Sequence, residues 1–120
     1  MATQFRSTPV FVSVIAAIAV LGSANAHALE FKNISGKWCT TGGSEQFNRN
    51  TLIAVPSSNR KPLIYKITKY EFTDTKVVVY WIGTSGKHTS TDFGAFSADG
   101  QGMVQLLTKE APERAFHRCK

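Results

Sequence analysis

Beyond residue 28 the apolar positions never settle into a helical repeat. They fall into short β-favouring runs cut by turn residues. The first run is Gly36 to Thr41, stopped by Gly42-Gly43, and the second is Gln46 to Val55, stopped by Pro56-Ser57-Ser58-Asn59. Leu63 to Phe72 turns at Thr73-Asp74, and Lys76 to Ile82 turns at Gly83-Thr84-Ser85-Gly86. His88 to Phe96, Met103 to Leu107 and Ala115 to Cys119 complete the series. The pattern predicts an all-β domain of about seven strands. Its links are too short for parallel crossovers, so neighbours are expected to be antiparallel. An up-and-down meander is the simplest topology, and closing it into a small barrel would leave no free edge. An open roll or small sandwich is the other architecture such strands allow. The segment with room for a short helix is Glu110 to Arg114.

The N-terminus reads differently. Arg6 precedes an apolar run from Val10 to Leu21, and Ala24-Asn25-Ala26 and Ala26-His27-Ala28 are both small-x-small sites. This is the pattern of a signal peptide over residues 1–28, cleaved after Ala26 or Ala28. The run is shorter than the roughly 20 residues a spanning helix needs, so stable membrane insertion is not expected. Residues 29–120 then form a single small domain, exported to the periplasm or secreted.

Export changes the meaning of the two cysteines. Cys39 lies on the first expected strand and Cys119 on the last, and an oxidising compartment favours their pairing. An intermolecular disulfide and two free thiols are the alternatives. An intramolecular bond would tie first strand to last, and closing so long a loop is worth roughly 4–5 kcal/mol. Neither cysteine has a partner at redox, zinc or haem spacing. Strand parity adds a consequence. If Cys39 and Cys119 share one face, Trp38 and Arg118 share the other, where a guanidinium over an indole would close one end of a barrel.

Gly36-Lys37-Trp38 on the first strand, with Arg118 on the last, resembles the lipocalin and calycin motif. The Tyr70-Glu71-Phe72-Thr73-Asp74 and Phe93-Gly94-Ala95-Phe96-Ser97-Ala98-Asp99-Gly100 segments are similar to the hairpins of such barrels. The resemblance implies a lipocalin-like barrel that carries or senses a small apolar molecule. Calycin-like barrels also serve as protease inhibitors, so the alternative is a protein-binding module of the envelope, such as an inhibitor or assembly factor. The chain is shorter than typical members, which favours a filled barrel over a hollow one.

Charge narrows the partners. Fourteen Lys and Arg face eight Asp and Glu across the whole chain. The basic residues are scattered with no run above two, which argues against a nucleic-acid surface. Catalysis is hard to assemble from His88, Ser90 and Asp92 in one strand, from His117, or from Glu110 and Glu113. No ligand spacing suggests a metal or cofactor, and the expectation is a non-enzymatic binding protein. Asn33-Ile34-Ser35 is a glycosylation sequon, relevant only in a eukaryotic host.

The run Val77-Val78-Val79-Tyr80-Trp81-Ile82 is apolar on both faces. It reads as a central core strand, as an exposed patch for a partner or for homodimerisation, or as one wall of a ligand cavity. In the last case Val77, Val79 and Trp81 would join Tyr65, Ile67 and Phe93 inside.

Overall fold

The computed structural model describes residues 27–57 and 59–120. The expected leader lies outside the described residues except for His27 and Ala28. A four-residue helix, α1 (Phe31–Ile34), precedes eight strands: β1 (Gly36–Thr40), β2 (Gly43–Phe47), β3 (Thr51–Val55), β4 (Leu63–Phe72), β5 (Lys76–Ile82), β6 (His88–Gly94), β7 (Gly102–Gln105) and β8 (Arg114–Arg118). Each strand pairs antiparallel with the next, and β8 returns to β1, so the sheet is a closed barrel.

Three expectations need correction. There are eight strands, because Gln46–Val55 is not one strand: Asn48-Arg49-Asn50 turns the chain between β2 and β3. Asparagine favours such turns, and the apolar residues on either side obscured the break. The turn at Thr41-Gly42 ends the first arm as expected, but the second strand starts before Gln46: Gly43 already begins β2, where an added Cβ would sit 2.6 Å from the Val55 carbonyl oxygen. Glu110 to Arg114 holds no helix, since Pro112 interrupts it and Arg114 starts β8. The short helix is α1 instead, with the Glu30 amide donating to Asn33 Oδ1 at 2.7 Å.

Alternation sorts the side chains. Trp38, Phe47, Leu52, Ile67, Val77, Val79, Phe93, Met103 and Phe116 point inward and form the core with Ile34 of α1. A bulge between Ile67 and Lys69 resets the parity of β4, so that Ile67 pairs beside Trp81 while Tyr70 pairs beside Val79. Both ends of β4 therefore present aromatics to the interior.

The β1–β8 closure is short, with only Trp38↔Arg118 and Cys39↔His117 in register. It is here that the Cys39–Cys119 disulfide lies, on the barrel exterior, across a sequence separation of 80. The covalent link reinforces a seam with few ladder hydrogen bonds.

Candidate functional site

One end of the barrel is plugged. Trp38 is fully buried, and its indole Nε1 donates to the Ile34 carbonyl at 2.8 Å. Arg118 lies over the face of the ring, its Cζ 3.9 Å from the ring centroid. Its guanidinium also donates to the carbonyls of Ser35, Asn33 and Gly100. Arg118 thus joins α1, the β6–β7 turn and β8 through one side chain. Gly36 stands beside it with φ +99°, and a Cβ there would approach Arg118 Nη1 to 3.2 Å. Glycine suits both this backbone and this clearance. Phe96 meets Trp38 edge-on, while Arg49 lies over Phe31 on α1, 4.1 Å from its centroid.

The other end is open. A cavity of about 740 Å³ enters between the β1–β2, β3–β4 and β7–β8 connections. Its floor is apolar: Phe93 packs against Phe47 with centroids 5.2 Å apart and against Phe116 at 6.2 Å. Leu52 and Val79 complete the floor, and Tyr65 and Trp81 pair along the wall at 4.9 Å. An eight-stranded barrel has an interior suited either to side-chain filling or to one small ligand. Here Trp38, Arg118 and α1 plug one end, and the other end remains hollow above its aromatic floor.

Polar groups ring the wall. Thr91 is buried and accepts a hydrogen bond from Trp81 Nε1 at 3.1 Å. Gln105, also buried, donates its amide to the Pro112 carbonyl at 2.7 Å. Glu45 lies across the β1–β2 ladder from Trp38 and across β2–β3 from Ala54, and its side chain faces the same cavity. Burial pushes its carboxyl up to about 7, against the opposing pull of the Arg114 guanidinium. Among the described residues, Glu45 has neither a side-chain hydrogen bond nor an ion pair.

The expected cavity set is partly gathered here. Tyr65, Val79, Trp81 and Phe93 line the cavity, whereas Ile67 and Val77 are buried in the core. On the outer face of β5, Val78 is only 9% exposed and Tyr80 is covered by Lys69, whose Nζ lies 4.9 Å from the ring centroid. His88, Ser90 and Asp92 share β6 with no hydrogen bond joining their side chains among the described residues: Asp92 pairs with Lys76 at 3.0 Å, and His88 and Ser90 border a separate shallow depression. His117 is exposed outside the barrel. No group of three metal-ligating side chains occurs among the described residues.

Glu45, Thr91, Gln105 and Arg114 escaped the sequence reading. For Glu45 the signal was its spacing of two from Phe47, readable only with β2 starting at Gly43.

Fold and cavity together define a small, closed, eight-stranded antiparallel β-barrel with one plugged and one open end. Compared with known proteins, the chain matches no family model, no curated protein and no solved structure.

Proposed function

We propose that this is an exported, non-enzymatic binding protein of lipocalin or calycin type, carrying or sensing a small, largely apolar ligand in the open half of its barrel. The observation that carries this reading is the cavity of about 740 Å³ with its floor of Phe47, Phe93 and Phe116. Concave apolar sites with a few placed polar groups are the usual form of small-molecule sites. The Gly36-Lys37-Trp38 motif beneath Arg118 adds support, because the resemblance and the plug rest on the same residues.

Native and denaturing mass spectrometry of the protein purified from its export compartment tests the proposal. Excess mass present only under native conditions, and lost when the cavity is filled by substitution, is the expected result. A protein that arrives empty and binds no apolar probe would refute it.

A protein-binding module is the second reading, favoured by two exposed side chains near the open end. Ile64 is 67% exposed near the start of β4, and Leu107 is 75% exposed in the loop after β7. Under this reading Leu107→Asp abolishes capture of a partner while leaving small-molecule binding unchanged.

A further inference from the structure

The polar ring of the cavity carries information about the ligand's head group, and the following rests on the carrier reading above. Gln105 gives one of its two amide N–H groups to the Pro112 carbonyl, and its side-chain oxygen remains available to a ligand. The Thr91 oxygen already accepts from Trp81 Nε1, leaving its hydroxyl proton to give. Glu45 brings two carboxylate oxygens with no hydrogen-bonded partner among the described residues. Arg114, the nearby cation, is exposed at the rim, where water solvates it. The wall thus carries hydroxyl and amide groups that can accept or donate, and the Glu45 carboxylate, above a floor of three phenylalanines.

We infer that the cavity selects an amine-bearing amphiphile, its apolar body on Phe47, Phe93 and Phe116 and its ammonium group on the Glu45 carboxylate with Gln105 as a second acceptor. An ammonium offers three donors and a charge to a partly buried carboxylate that has no hydrogen-bonded partner among the described residues and only the exposed Arg114 as a nearby cation. A fatty acid would place a second carboxylate beside Glu45, and an alcohol would leave the charge unpaired.

The pairing requires ionised Glu45, so binding must depend on pH. The other charged or titratable groups lining the cavity are Arg114 on β8, Glu110 in the loop before it and Tyr65 on β4. The carboxyl of ligand-free Glu45 titrates at about 7. Affinity for an amine that stays protonated throughout should therefore fall about tenfold from pH 8 to pH 6.

The test is calorimetric titration of the whole protein with n-decylamine, decan-1-ol and decanoate at pH 8, 7 and 6. Decylamine is expected to bind about tenfold or more tightly than decanol at pH 8, with decanoate weakest and the amine's advantage shrinking toward pH 6. Glu45→Gln should remove both the preference and its pH dependence while retaining decanol binding, which also shows that the variant is folded. Decylamine binding no better than decanol, or a preference that survives Glu45→Gln, overturns the inference and leaves the carrier reading standing. Failure of all three probes to bind overturns both.

Discussion

Arg118 lies over the Trp38 indole, its guanidinium carbon 3.9 Å from the ring centroid, and the two residues are direct partners across the β1–β8 seam. One contact thus closes the barrel in two senses, joining its last strand to its first and sealing its lower end. The same guanidinium caps the carbonyls of Asn33, Ser35 and Gly100, which have no other donor among the described residues.

Arg118→Met should therefore cost about 2–4 kcal/mol, the lost cation–π contact together with carbonyls left without a donor. Chemical denaturation would register this as a lower midpoint. Arg118→Lys should recover only part, because an ammonium cannot span three carbonyls and the ring at once. A methionine variant as stable as the parent would show that the plug owes nothing to the charge.

Removing the disulfide acts on the unfolded chain. Cys39→Ala with Cys119→Ala should lower stability by about 3–5 kcal/mol, since the loop closed spans 80 residues. The short β1–β8 ladder should then be the first to exchange its amide protons, read by hydrogen exchange at Trp38 and at position 39 of the double variant.

Glu45 makes stability fall with rising pH. Its folded-state carboxyl is raised from 4.5 to about 7, so the neutral acid is favoured by the fold. Its stabilising contribution is complete below the unfolded value and is lost as pH climbs through about 7. The full linkage would be about 3 kcal/mol, reduced by water in the open cavity. Glu45→Gln should flatten this part of the profile and raise the melting temperature at pH 8 more than at pH 5. An unchanged difference between parent and variant across that range would show that Glu45 titrates normally.

Val79 is fully buried and forms part of the cavity floor, with Tyr70 and Thr91 as its ladder neighbours. Val79→Trp should fill the space and abolish decanol binding in calorimetry. Overpacking costs about 1–3 kcal/mol, so a lowered but cooperative melting transition is expected. Retained binding would place the ligand elsewhere.

Much of the barrel was legible because alternation is a local property. Trp38, Cys39, Arg118 and Cys119 lie one residue apart in pairs, and a strand must send neighbours to opposite faces. Once the ends of the chain are adjacent, the disulfide outside and the cation–π pair inside follow together. The β2–β3 turn was hidden for an equally local reason: Phe47 and Leu52 flank only Asn48-Arg49-Asn50-Thr51, so one apolar run seemed to continue.

Composition and periodicity by themselves determined an all-β chain, its antiparallel order and the parity of its terminal strands, because short links and period-two alternation leave few alternatives. They could not decide which face of Val77 to Ile82 turns inward, since both faces are apolar. Nor could they show that the barrel is plugged at one end and hollow at the other. Those outcomes depend on closure, on the bulge that resets β4, and on α1 occupying the lower end. Only the assembled barrel brings Glu45, Thr91 and Gln105 from three strands around one cavity. Their encounter is set by the stagger of strands far apart in sequence, which no local pattern encodes.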